Sequence, residues 1–147
     1  MSVSLYGSGQ TVIQVVTATW NTQVTTTSAS FVTTGFSATI TPQSTTSKIL
    51  CVVNLNGCQS GNGTTGGQHT LYKGGNNVVT TGQTFNCLAF AQNAATGLYT
   101  NINYQYLDSP ATTAATTYTT YMCTQGGTVS INTTGISSIN LIEIAYA

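Results

Sequence analysis

Lys48-Ile49-Leu50-Cys51-Val52-Val53-Asn54-Leu55 is the most apolar stretch of the chain, and its reading decides the fold class. Five of its eight residues are Ile, Leu or Val, and it is too short for a helix with a buried stripe. At the two-residue period of a strand, Ile49, Cys51, Val53 and Leu55 point one way and Leu50 and Val52 the other. A strand that is apolar on both faces lies in a sheet covered twice, or in one whose second face meets another subunit.

Working outward, the same texture continues in both directions. Short runs of β-branched and aromatic residues alternate with Gly, Asn, Ser and Thr, and no segment holds a helical period. Upstream lie strands at Thr11–Ala18, Ser30–Val32 and Phe36–Ile40, the last closed by Pro42. Downstream come a glycine-rich loop over Gly57–Gly67, a strand at His69–Lys73, a tight turn at Gly74-Gly75-Asn76-Asn77 and its return at Val78–Thr80. Further strands fall at Thr84–Ala91, Asn101–Leu107, Thr117–Thr124, Val129–Asn132 and Ser138–Tyr146. Nine or ten strands at this spacing predict an all-β, jelly-roll-like antiparallel sandwich. Residues 11–147 form its single domain, and residues 1–10 an N-terminal arm.

Composition narrows the function. Only 3% of the 147 residues are charged, namely Lys48, Lys73, Asp108 and Glu143, against about 25% in an ordinary domain. There is no arginine, and 31 residues are threonine. Two lysines cannot neutralise a phosphate backbone, so nucleic acid is not an expected partner. Neither a basic surface helix nor an apolar run of 18 residues is present, so no membrane partner is expected. The opening Met1-Ser2-Val3-Ser4-Leu5-Tyr6-Gly7 lacks the charged and apolar regions of a secretory signal. A chain with so little charge has little colloidal protection as a free monomer, which points to a protein that lives in an assembly.

Nothing in the sequence reads as an enzyme. Gly61-Asn62-Gly63-Thr64-Thr65-Gly66 matches a dinucleotide fingerprint in letters, but a strand-like run follows where the helix should be. His69 is the only histidine, no Gly-x-Ser-x-Gly marks a nucleophile, and the two acids are isolated. Asp108 reads as a turn-former before Ser109-Pro110. Cys51, Cys58, Cys87 and Cys123 have no zinc spacing. Cys51 and Cys87 read as buried apolar residues, and Cys58, in the glycine-rich loop, as the thiol to watch. No cofactor or metal is expected. The sequons at Asn62 and Asn132 read as accidents of a chain rich in Asn and Thr.

Several blocks together carry a resemblance: Ile40-Thr41-Pro42-Gln43-Ser44-Thr45-Thr46-Ser47-Lys48-Ile49-Leu50, Leu71-Tyr72-Lys73-Gly74-Gly75, Tyr106-Leu107-Asp108-Ser109-Pro110, Gly126-Gly127-Thr128-Val129 and Ile139-Asn140-Leu141-Ile142-Glu143-Ile144-Ala145. In their order the chain resembles small virion proteins and fibre-tip domains of tailed bacteriophages, which are similar to trimeric jelly rolls of the tumour-necrosis-factor and complement-C1q type. Members often carry Arg where this chain has Lys73. The resemblance implies a homotrimeric virion structural protein assembled in the host cytoplasm. One form of it is a capsid decoration (cement) protein bound to the major capsid protein on the outer capsid. The alternative is a tail-fibre or tail-appendage tip held by tail proteins, with a host glycan as receptor. With only about ten residues ahead of the first strand, the chain fits the capsid form better; a non-viral adhesive domain is a third reading.

Partner contacts are expected from exposed apolar and aromatic residues. Leu50 and Val52 supply the second face of the central strand. Tyr104, Tyr106, Tyr118 and Tyr121 stand in a tyrosine-rich second half, suited to an intersubunit seam or a sandwich edge. In the arm, Leu5 and Tyr6 form an apolar pair that reads as an anchor ordering on a capsid groove or a neighbouring subunit.

Overall fold

The structure is a computed structural model and describes residues 9–60, 66–79 and 98–146. Ten strands are present among them: β1 (Gln10–Trp20), β2 (Val24–Thr26), β3 (Val32–Ile40), β4 (Lys48–Ser60), β5 (Gly67–Lys73), β6 (Asn76–Asn77), β7 (Leu98–Asp108), β8 (Thr116–Thr124), β9 (Val129–Ile131) and β10 (Ser137–Tyr146). No helix occurs among the described residues.

Two antiparallel sheets pack face to face. In the first, β4 lies between β10 and β7, β1 flanks β10, and β9 with β2 continues the sheet along the far end of β4. The second has the order β3-β8-β5-β6. The chain crosses repeatedly between sheets, and strands far apart in sequence pair: β1 with β10, β3 with β8, β4 with β7. This nested antiparallel order makes the sandwich jelly-roll-like, as the strand count and spacing predict.

Alternation builds the core. Ile49, Cys51, Val53 and Leu55 of β4 are fully buried, as are Ile139 and Leu141 of β10, and they face Phe36 and Ile40 of β3, Leu71 of β5 and Met122 of β8. Trp20 stacks on Phe36 with ring centroids 5.8 Å apart, tying the end of β1 to the opposite sheet.

Strand boundaries depart from the sequence reading where glycine and threonine act locally. The short strand after β1 is Val24–Thr26 and not Ser30–Val32. Val32 instead begins β3, which runs through an irregularity at Gly35, a residue with φ of 80°. There the buried Thr34 hydroxyl bonds Thr120 Oγ1 (2.5 Å) and the Thr120 carbonyl (3.0 Å), so a polar residue serves the ladder from inside the core. β4 does not stop at Leu55. A bulge between Leu55 and Cys58 carries it on to Ser60, with Gly57 at φ of 56°. A Cβ on Gly57 would lie 2.3 Å from the Thr134 carbonyl oxygen, so only glycine fits this crossing. The turn after β5 is two residues, Gly74-Gly75, both with positive φ; its return begins already at Asn76–Asn77, Val78 N still donates to Leu71 O (2.9 Å), and Thr80 of the expected Val78–Thr80 return lies outside the described residues. The expected strand at Thr84–Ala91, Cys87 within it, and most of the Gly61–Gly66 run lie outside the described residues; β5, a strand, follows at Gly67.

Candidate functional site

The four charged residues are disposed so that neither acid reaches the surface. Asp108 ends the inward-facing series of β7 and is 4% exposed. Its Oδ2 accepts hydrogen bonds from Lys73 Nζ and from the Tyr118 hydroxyl, each at 2.6 Å. Asp108 is therefore a buried hub, and not simply the turn-former its Ser-Pro neighbours imply. Glu143 is fully buried: Oε1 accepts from the Gln43 backbone N–H (2.7 Å), and Gln14, with its side-chain amide nitrogen turned inward, donates to Oε2 (3.1 Å). Lys48 lies on the outer face of the first sheet, with Nζ donating to Ser109 Oγ at 3.1 Å.

The groups that carry polar chemistry elsewhere are enclosed here. His69 is 1% exposed, and burial pushes its imidazole down to about 4. Burial, with Asp108 adding to it, pushes the Cys51 thiol up to about 12, and burial also raises Cys123. Cys58, expected in an open loop, sits in β4 at 3% exposure with Sγ directed at the Leu55 carbonyl (3.5 Å), because the strand runs past the bulge. Cys51 and Cys123 are free thiols. Asn132 of the second sequon is 5% exposed; its amide donates to Thr22 O (3.1 Å) and its Oδ1 accepts from Ser137 Oγ. Among the described residues no three of His, Cys, Asp and Glu gather to hold a metal.

What remains for function is two outer faces. On the first sheet, the register aligns Val15 of β1, Ile142 of β10, Leu50 of β4 and Leu107 of β7 in a single row across four strands. Val15 is 56% exposed and Leu107 46%, while Ile142 and Leu50 are half-buried. One row along, Val12 (56% exposed) pairs with Ile144, and on the other side stands Val52. Ile13, the extra residue of the bulge in β1, lies at the same end. Val52's own row is otherwise polar, with Thr17 bonded to Asn140 (2.8 Å), and the next outward row is polar too, with Asn54 bonded to Ser138 (3.2 Å). The result is an aliphatic band from edge to edge of the sheet, the kind of exposed contiguous apolar surface that marks an interaction site.

The outer face of the second sheet is mostly hydroxyls, Thr39 against Thr117 among them (2.7 Å). Its exception is an aromatic group: Tyr72 of β5 stacks on Tyr121 of β8 with centroids 3.8 Å apart, and Phe31 tilts onto Tyr72 at 6.4 Å.

The candidate contact residues thus separate. Leu50 and Val52 belong to the aliphatic band, and Tyr121 to the aromatic group. Tyr104 and Tyr106 face inward and pack half-buried against the core. Tyr118 is fully buried and spends its hydroxyl on Asp108, so it is a core residue and not a contact residue of the folded chain. Leu5 and Tyr6 lie outside the described residues. Sequence reading missed Val12, Val15, Ile142, Ile144 and Leu107. Val15, Ile142, Ile144 and Leu107 alternate with more buried neighbours, so their outward direction was legible, whereas Val12 stands beside the β1 bulge among exposed residues; only the cross-strand register shows that they align. No protein-family model matches the chain, and a comparison with curated proteins gave no match.

Proposed function

We propose that this chain is a bacteriophage virion structural protein: a homotrimeric capsid decoration protein that binds the major capsid protein on the outer surface of the shell. The observation that carries the reading is the aliphatic band Val15–Ile142–Leu50–Leu107 on a molecule whose two acids are both buried. A monomer would leave that band in water with almost no charge to keep copies apart. Packing the bands around a threefold axis removes it, and obligate contacts of this kind bury roughly 2,000 Å² or more. The blocks that resemble phage virion proteins, and the jelly-roll-like order of the strands, support the same reading.

The mechanism is binding. Each trimer adds contacts that must break before neighbouring capsid subunits separate, and so resists expansion of the shell. With so few charges those contacts are apolar and backbone-mediated, hence nearly indifferent to salt. Neither nucleic acid nor membrane takes part.

Two measurements test this. The purified protein should have a native mass of three 15.2 kDa chains, and a Val15→Glu/Leu107→Glu double variant should remain folded and become monomeric. Quantitative mass spectrometry of purified particles should find hundreds of copies. A stable wild-type monomer refutes the trimer; a few copies confined to the tail refute the capsid and favour a tail appendage.

A further inference from the structure

The second sheet carries an open concavity of about 690 Å³ at the end away from the Gly74-Gly75 turn. Its floor is the β5–β8 pair where Gln68 faces Cys123, and Tyr72, Phe31, Ser30 and Gln125 complete its lining. We propose that this groove is a binding site for a neutral carbohydrate. The inference does not rest on the trimer or the capsid, and applies wherever the protein resides.

Three features lead to it. First, the groove offers ring faces next to amides and hydroxyls. The C–H face of a pyranose packs against an aromatic ring, and its hydroxyls need donors and acceptors at the same depth. Tyr72 is held by its stack on Tyr121 and by Phe31, so the platform is fixed before a ligand arrives.

Second, the polar groups are placed and not merely nearby. Gln68 is only 6% exposed, and its Oε1 accepts from Cys123 Sγ at 3.4 Å, which orients the amide and leaves the NH₂ to serve the groove. The rim is tied down as well: Thr124 N donates to Ser28 O (2.8 Å), Gln125 N to Gly66 O (3.0 Å), Ser30 N to Ser28 Oγ (3.1 Å) and Ser28 Oγ to Ser30 O (2.7 Å).

Third, the groove holds no charge. Lys73, the neighbour of Tyr72, points to the opposite face and pairs with Asp108; Glu143 is in the interior, and Lys48 is on the other sheet. A phosphate, sulfate or carboxylate ligand would lose its water with nothing to replace it. A purely apolar ligand would strand the Gln68 amide. A neutral, hydroxyl-rich ring meets both conditions. The volume falls within the range of small-molecule sites, about 300–1,000 Å³.

The test uses the full chain in its native oligomeric state. It is screened by saturation-transfer NMR against neutral oligosaccharides of glucose, galactose, mannose and N-acetylglucosamine, with sialylated and sulfated counterparts alongside. At least one neutral sugar should bind, without improvement from added charge. Tyr72→Ala should weaken binding tenfold or more. Because removing a stacked ring can disturb the sheet, Ala29→Trp is the second variant. Ala29 is an exposed rim residue, and a tryptophan there fills the groove while leaving every described packing contact in place. It should abolish binding at unchanged thermal stability, and Thr39→Ser, on the same face outside the groove, should bind as wild type. The proposal is overturned if no neutral sugar binds up to about 10 mM, weaker than which recognition has little meaning. It is equally overturned if only charged glycans bind, or if binding survives Ala29→Trp.

Discussion

His69 makes stability depend on pH in a calculable way. Its imidazole is 1% exposed and burial holds it at about 4 in the fold, against 6.5 in the unfolded chain. Between these values the unfolded state binds a proton that the folded state refuses. The contribution is therefore complete above pH 6.5 and is lost as pH falls toward 4. At about 1.4 kcal/mol per pH unit, the interval from 6.5 to 4 amounts to about 3 kcal/mol, a large share of the 5–15 kcal/mol typical of a domain. The assay is urea denaturation at a fixed protein concentration, at half-unit steps from pH 7.5 to 4, on the wild type and on His69→Leu. Leucine is chosen because the site lies in the sandwich, across from Met122. Both proteins keep Asp108 and Glu143, so carboxyl protonation is common to the two, and the difference curve isolates the histidine. That difference should fall by about 3 kcal/mol with the slope centred between pH 4 and 6.5. Parallel curves would show that His69 is protonated inside the fold as readily as outside it, and the burial argument would fail.

Other outcomes follow from single sites. Gly57→Ala places a methyl 2.3 Å from a backbone oxygen at positive φ and should cost about 3 kcal/mol in denaturant titration; a loss below about 1 kcal/mol would mean that the bulge can relax. Lys73→Met leaves the Asp108 carboxylate with Tyr118 alone and should cost about 2 kcal/mol, less than for a fully buried pair because the lysine side chain is 28% exposed. Lys73→Arg should restore most of that loss, and an equal loss in both variants would refute the ion pair as the cause. Cys51, Cys58 and Cys123 should resist Ellman's reagent in the native protein and react on unfolding, and reductant should leave the melting temperature unchanged; native labelling at any of the three contradicts their burial.

The class of the fold was legible because alternation is a local signal. Ile49 to Leu55 shows it directly, and β4 carries it into the centre of the first sheet. Its length was not legible, because Gly57 reads as a loop residue unless the backbone of Thr134 is known to cross it. Asp108 illustrates the same limit. Asp-Ser-Pro is a turn signal, and that signal is real, but the carboxylate's partners come from β5 and β8. These partners also connect two of the blocks that carry the phage resemblance: the residue before the Gly-Gly turn and the acid of the Leu-Asp-Ser-Pro run form one ion pair. An arginine in place of Lys73 would serve the same acid. For the interaction faces, sequence supplied direction and the register supplied alignment. Leu50 was visible as outward; that Val15, Ile142 and Leu107 stand beside it was not. Tyr118 fails in the opposite sense, since a tyrosine among threonines reads as surface until its hydroxyl is seen to have a buried acceptor.

The pairing of β1 with β10 bears on how the molecule comes into being. Trp20 meets Ser137 and Gln10 meets Tyr146, so the first strand to leave the ribosome has no partner until the last has followed. The central β4 likewise waits for β7 and β10. Loop-closure entropy must be met before these distant contacts give any return, which places the chain among slow folders, in the range of milliseconds to seconds. During that interval the apolar strand Lys48–Leu55 stands with open edges beside other nascent copies. Threonine-rich strands with little charge offer few gatekeepers against wrong pairing. Synthesis rate and local copy number, more than final stability, should therefore govern how much of the chain reaches its native form.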